Sequence, residues 1–177
     1  MRPEQVTEIV RRSRNMPIWT SASDANSFDY KHMEPITDLI PHRDPFLLVD
    51  KILEADRPGR RLRAEYGVRQ DNPVFAGHFP GDPIYPGVLL VETAGQAAVC
   101  LASLLYRQDE DTEKSLQIRA TRLHHASFLQ AVRPGDTLDV QVALLEFDPI
   151  ICTFVGQVWA NGFLCCLTVG EFYVADS

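Results

Sequence analysis

The sequence predicts an α+β fold in which an antiparallel sheet wraps around one long central helix. Three observations predict it. Residues 88–108, VLLVETAGQAAVCLASLLYRQ, would form a helix that is apolar on nearly every side, and such a helix must be enclosed. Two strand-like segments precede that helix and about four follow it. The later strands are joined by tight turns, among them Asn161-Gly162, the strongest short hairpin signal in the chain. One strongly twisted sheet can cover most sides of a single helix.

The elements follow in order. Residues 3–14 form a short helix, with Val6, Ile9 and Val10 at helical spacing. The small, polar stretch TSASDANSFD then reads as a linker. Residues 1–33 read as an N-terminal arm and 34–177 as the folded domain. The arm is locally basic through Arg2, Arg11, Arg12 and Arg14, which read as a solvated helix face. PFLLVDKIL (45–53) has the continuous apolar run of a buried strand. Arg57, Pro58 and Gly59 supply a turn. RRLRAEYGV then alternates, with Leu62, Ala64, Tyr66 and Val68 on the inner face. Residues 71–87 hold four prolines and three glycines in seventeen positions, which predicts a loop with no regular element.

The long helix comes next. Glu92, Thr93, Gln96 and Ser103 interrupt its apolar run, so it is read as a core helix and not as a membrane span. After an acidic turn at Asp109, Glu110, Asp111 and Glu113, SLQIRATRL and HHASFLQAV read as two successive strand segments. Pro134-Gly135-Asp136 turns the chain into TLDVQVALLEF, and Asp148-Pro149 turns it into IICTFVGQVWA. FLCCLTVGEFYV closes the sheet.

Composition excludes several classes. The chain has 177 residues, 45% hydrophobic and 23% charged, which is a globular and not a disordered balance. A net charge of −7 argues against a nucleic-acid binder. The four cysteines, at 100, 152, 165 and 166, form no CxxC pair, so no metal site is predicted and the thiols read as free and buried. The first residues contain no apolar run of the secretory type, and a cytoplasmic location is expected.

The chemistry gathers in the loop before the long helix. His78 sits in GHFPGDP, where glycine and proline fix the backbone, and histidine suits a base near neutrality. Glu92 lies near the start of an apolar helix. Such surroundings favour the protonated form of an unpaired carboxyl, suited to a general acid. Gly87 opens the helix, where a free N–H at the positive end would stabilise a carbonyl oxygen gaining charge. Gln96 lies one turn beyond Glu92 on the same face, to orient it or pair with it. Acid, base and oxyanion donor together suit elimination of water beside a thioester. Taken singly, each residue also has a structural reading: a loop histidine, and a capping or hydrogen-bonded carboxylate.

LIPHRDPFLLVD followed by GHFPGDPIYPGVLLVETAGQ resembles the bacterial 3-hydroxyacyl-[acyl-carrier-protein] dehydratases of the hotdog fold. The likeness runs from about Ile36 to Val174. It implies a dehydratase that makes a trans-2-enoyl thioester in fatty-acid or related acyl-chain biosynthesis, without a cofactor. His78 matches the catalytic histidine, Glu92 the catalytic carboxylate and Gly87 the oxyanion glycine. Ile84 matches the residue whose carbonyl orients the histidine ring, and Gln96 the glutamine after the carboxylate. Tyr85 is expected to help shape the acyl tunnel. Glutamate at 92 fits the general dehydratase branch, whereas the isomerising branch uses aspartate. The resemblance also implies at least a homodimer, often a trimer of dimers, with the histidine and carboxylate of each site on different subunits.

The chain departs from the pattern in two places. Ser127, Leu129 and Gln130 stand where the family carries positive charge for its acyl-carrier protein, with Arg119, Arg122 and Arg133 nearby as substitutes. The N-terminal arm exceeds the usual core. The thioester carrier is therefore left open between carrier protein and CoA. Three other functions compete with this one: a hotdog thioesterase using Glu92, a related enoyl hydratase, and a non-catalytic acyl-binding subunit. Asp71-Asn72-Pro73 resembles part of the hydratase motif, but His78 stands at the wrong spacing from it.

Overall fold

The computed structural model describes residues 1–19, 28–29, 35–109, 117–148 and 150–175. Helix α1 spans Pro3–Asn15, strand β1 Phe28–Asp29 and helix α2 Ile36–Leu39. Strands β2 (Lys51–Asp56) and β3 (Arg61–Gly67) precede the long helix α3 (Gly87–Asp109). Strands β4 (Gln117–Phe128), β5 (Thr137–Phe147), β6 (Ile151–Ala160) and β7 (Phe163–Ala175) follow. The sheet is antiparallel, in the order β1-β2-β3-β5-β6-β7-β4, which leaves β4 at one edge. Its inner face encloses α3, and the architecture is the hotdog fold.

Alternation drives the enclosure. Leu62, Ala64 and Tyr66 of β3 face Val142, Val140 and Leu138 of β5 across the ladder, and all six are buried. Ala94, Ala97, Ala98, Cys100, Leu101 and Ala102 of α3 are fully buried beneath them. The small side chains let helix and sheet approach closely. A Cβ at Gly156 of β6 would fall 2.8 Å from that of Ala94. The stretch Gly87–Arg107 is long and apolar enough to cross a bilayer, yet 72% of its most apolar window is buried inside the protein. All four cysteines are buried and free, Cys165 and Cys166 included. Burial pushes the Cys100 and Cys166 thiols up to about 12.

Five elements differ from expectation. PFLLVDKIL is not a strand throughout: β2 starts only at Lys51. Leu48 and Val49 are buried, but at Leu48 a side chain takes the place of a ladder partner: its N–H donates to Gln96 Oε1 at 2.8 Å. The two segments predicted after α3 are one strand, β4, whose two register shifts absorb the irregular pattern. A short 3₁₀ turn, Pro73–Ala76, interrupts the proline-rich loop, and Asn72 Oδ1 caps it by accepting from Val74 N–H at 3.0 Å. Helix α2 and strand β1 had no clear periodic signal. The Asn161-Gly162 turn has positive φ at both residues, 53° and 80°, as a type I′ hairpin requires. Most of the predicted linker, the acidic turn after Asp109, and Pro149 lie outside the described residues.

The start of the arm packs on the outer face of the sheet. Ile9, Val10 and Ile18 lie against Val155, Leu167 and Val169. Beyond α1 the backbone is held by two buried glutamines: Ile18 N–H donates to Gln157 Oε1 at 2.7 Å and Trp19 N–H to Gln141 Oε1 at 2.9 Å. Arg2, Arg11, Arg12 and Arg14 are exposed, and Arg11 pairs with Glu8 at 2.7 Å.

Candidate active site

His78 lies near the start of the loop that joins the 3₁₀ turn to α3. Its N–H donates to the carbonyl of Val74 at 3.0 Å, which anchors the backbone. Its Nδ1 lies 2.9 Å from the carbonyl oxygen of Ile84, and Ile84 N–H donates back to the carbonyl of His78 at 3.2 Å. A carbonyl can only accept, so this contact assigns the proton to Nδ1 and leaves the Nε2 lone pair for a base. The ring of Phe79 lies over the imidazole, with centroids 4.1 Å apart. His78, Ile84, Tyr85, Gly87, Val88 and Phe128 line a cavity of about 420 Å³. Tyr85 is buried there, packed near Tyr66 and Phe75, and burial raises its phenol far above the ordinary range.

Gly87 is the first residue of α3, so its N–H has no acceptor within the helix. A Cβ at this position would fall 2.7 Å from the ring of Phe128. Absence of a side chain here lets the aromatic wall of the cavity stand against the helix N-terminus.

Glu92 opens into a different cavity, of about 440 Å³, together with His42, Gln96, Val99, Ile118 and Arg122 among others. The carboxylate is paired with Gln96, one of the two roles the sequence suggests for that residue. Gln96 Nε2 donates to Glu92 Oε1 at 2.9 Å, and the side chain of Glu92 is 35% exposed. The reason is the turn-by-turn geometry of α3, which sets residues 92 and 96 one above the other. Gln96 is itself buried. It also donates to the carbonyl of Phe46 at 2.9 Å, tying α3 to the 40–50 loop.

The structure thus groups His78, Ile84, Tyr85 and Gly87 in one cavity and Glu92 with Gln96 in another. The two share no lining residue. Sequence reasoning overlooked His42, whose Nε2 lies 3.5 Å from Glu92 Oε1. Its position inside the LIPHRDPFLLVD segment was the available signal. Nearby, Thr121 and His124 of β4 meet Glu171 of β7, and the Thr121 hydroxyl leads in holding the Glu171 carboxyl below the usual range. Of the arginines considered for a carrier, Arg133 is tied to Asp82 at 2.6 Å, while Arg122 lines the Glu92 cavity. Among the described residues no cluster of His, Cys, Asp and Glu could hold a metal ion.

A FabA-like domain is matched by residues 40–168. The chain belongs to the FabA-like family. Within that family it is 41% identical over 129 residues to the 3-hydroxyacyl-[acyl-carrier-protein] dehydratase FabZ of Chlamydia pneumoniae, covering 73% of this chain and 80% of the relative. It is also 41% identical over 133 residues to FabZ of Acetivibrio thermocellus, covering 72% and 87%. Among solved structures, this FabA-like chain is similar to a chain of the dehydratase heterocomplex ApeI:P from Xenorhabdus doucetiae, with a TM-score of 0.68. That match has 19% identity and covers 82% of this chain and 94% of the other. A putative thioesterase from Ralstonia eutropha aligns with a TM-score of 0.52 and 21% identity, over 70% and 83%. These two likenesses concern the fold.

Proposed function

We propose that the chain is a dehydratase that removes water from a 3-hydroxyacyl thioester to give the trans-2-enoyl thioester, in fatty-acid or related acyl-chain synthesis. The FabZ relatives support the reaction class. One observation carries the site: His78 and Glu92 line separate cavities of the same chain, the first without a carboxylate and the second without the His78 ring or the Gly87 N–H. Each cavity is half of a site, and a second copy completes it. The exposed apolar side chains Phe79, Val88, Leu123 and Phe128 lie in these cavities or beside them, and the edge strand β4 is open to pairing. The working unit is at least a homodimer with two shared sites.

In such a site, Nε2 of His78 takes the proton alpha to the thioester carbonyl. The N–H of Gly87, at the positive end of α3, stabilises the oxygen of the enolate. Glu92 of the other subunit gives its proton to the 3-hydroxyl as the C–O bond breaks, and water leaves. The electron pair of the broken C–H bond becomes the new double bond. No cofactor enters this balance.

An acyl-carrier protein is the favoured carrier, on the strength of the relatives, with CoA as the other source of the same thioester. Turnover of a 3-hydroxyacyl chain-length series on both carriers tests the reading, with enoyl formation and thiol release followed together. Enoyl product without thiol release is expected. His78→Ala and Glu92→Gln should each lower kcat by about 10²–10⁴-fold, the usual worth of a general acid or base. Thiol release alone would sink the reading in favour of a thioesterase, and near-wild-type turnover by either variant would sink the mechanism.

A further inference from the structure

The loop that carries His42 is pinned on both sides of the ring. Arg43 Nη1 donates to the carbonyls of Ile40 at 2.9 Å and of His42 at 2.7 Å. Gln96 holds the backbone of Phe46 and Leu48. The imidazole stacks near Phe46, with centroids 6.4 Å apart and planes 30° apart. So fixed, Nε2 of His42 faces Glu92 Oε1 at 3.5 Å. The same oxygen already accepts from Gln96, whereas Oε2 of Glu92 has no hydrogen-bond partner among the described residues. The carboxyl is thus held by one oxygen and open at the other.

The second nitrogen of His42 decides its protonation pattern. Nδ1 is buried and has no hydrogen-bond partner among the described residues. A proton placed there would be a buried, unpaired donor, the rarest kind of unsatisfied group in folded proteins. The tautomer with its proton on Nε2 avoids that, and its only N–H then points at Glu92.

We propose that His42 is a positioning residue for Glu92. As the Nε2–H tautomer it donates to Oε1 and, with Gln96, reserves Oε2 for the proton passed to the leaving hydroxyl. The role rests on the dehydratase reading above. As Oε2 gives up its proton, negative charge spreads over both oxygens. A donor at Oε1 therefore stabilises the transition state more than the protonated ground state. A separation of 3.5 Å exceeds an ordinary hydrogen bond, and catalytic contacts of this kind shorten once substrate fills the site.

The test uses the full chain, as wild type, His42→Ala and His42→Gln, assayed on a 3-hydroxyacyl thioester. Histidine ¹⁵N NMR of the wild type at pH 7.5 accompanies it. His42→Ala is expected to lower kcat about 10- to 100-fold, the worth of a hydrogen bond to a charged group, with KM changed less than about twofold. His42→Gln keeps an N–H donor and should recover most of kcat, and the NMR should report the Nε2–H tautomer. Wild-type kcat in His42→Ala overturns the proposal. So does a His42→Gln variant no better than alanine, or a proton on Nδ1. A wild-type chain inactive on every 3-hydroxyacyl thioester overturns the dehydratase reading instead, and the NMR result still reports on the tautomer.

Discussion

The Nδ1 atom of His78 lies 2.9 Å from the main-chain oxygen of Ile84, six residues further along the same loop. This contact is internal to one chain and fixes the imidazole against its own α3 N-terminus. Glu92 sits on that same helix but opens into the other cavity. On the proposed mechanism, the base is oriented by its own subunit and takes its acid from another.

That division predicts complementation. Mixed dimers of His78→Ala and Glu92→Gln chains contain one doubly damaged site and one intact site. With random association, half the dimers are mixed, so about a quarter of wild-type activity should return from two nearly inactive parents. The measurement is kcat after co-refolding or co-expression, normalised to dimer concentration. No recovery in demonstrably mixed dimers would mean that each site is built within a single chain.

Gly87 supports a second expectation. Its place at the helix start is needed for its N–H, and its missing side chain leaves room for Phe128. Gly87→Ala would force the ring or the helix end to shift, at a cost of about 1–3 kcal/mol in strain. Activity should fall more than stability, by roughly 10- to 100-fold in kcat/KM, since one misplaced oxyanion donor costs at least that much. Parallel melting and kinetic measurements separate the two effects. Equal losses in folding and catalysis would make Gly87 a packing residue only.

Much of this was legible in the sequence, for physical reasons that differ by element. Strand β3 alternates strictly, so its buried residues Leu62, Ala64 and Tyr66, and Val68 just beyond its end, are legible directly. Helix α3 announced itself by apolar residues on every side. The loop at 45–50 reads as a strand in sequence because an apolar run bonded to a side chain looks like one bonded to a ladder. Only the contacts of Gln96 with Phe46 and Leu48 distinguish them. For the candidate site, His78 and Glu92 were visible as residues in motifs. The meeting of His42 with Glu92, fifty positions apart, depends on tertiary packing that no local pattern encodes. The same holds for the docking of α1, since a weakly apolar stripe of Ile9 and Val10 does not say which surface it covers.

The turn between β2 and β3 predicts a pH effect. Burial of Asp56 opposes its ionisation, but Arg61 Nε at 3.0 Å and Gly59 N–H at 2.9 Å outweigh it and hold the carboxyl below its usual value. A carboxyl depressed in the folded state stabilises the fold above its unfolded pKa, about 3.9, and loses that contribution as pH falls through the lower folded value. Asp56→Asn should thus cost about 1–3 kcal/mol at pH 7, typical of charge-assisted hydrogen bonds. The gap to wild type should close as pH drops below about 4. Chemical denaturation at several pH values checks it, and a gap independent of pH would rule out the ionised pair as its source.

The arm gives the last prediction. Gln157 of β6 is fully buried on the outer face, where its Nε2 donates to the carbonyl of Met16 at 2.9 Å and its Oε1 accepts from Ile18. Leucine at 157 would fill similar space while leaving that N–H and carbonyl without partners, at a cost of about 1–3 kcal/mol. The chain can escape the penalty by releasing residues 16–19 to water. Trp19, now 6% exposed beneath Arg61, would then emerge. In a Trp159→Phe background, leaving Trp19 as the sole indole, Gln157→Leu should shift fluorescence to the red. It should lower Tm by about 2–4 °C per kcal/mol lost. Dehydration should persist, because α1 and residues 16–19 lie on the face of the sheet opposite α3 and both cavities. Unshifted fluorescence with full stability would show that the apolar contacts of α1 hold the arm without the glutamine.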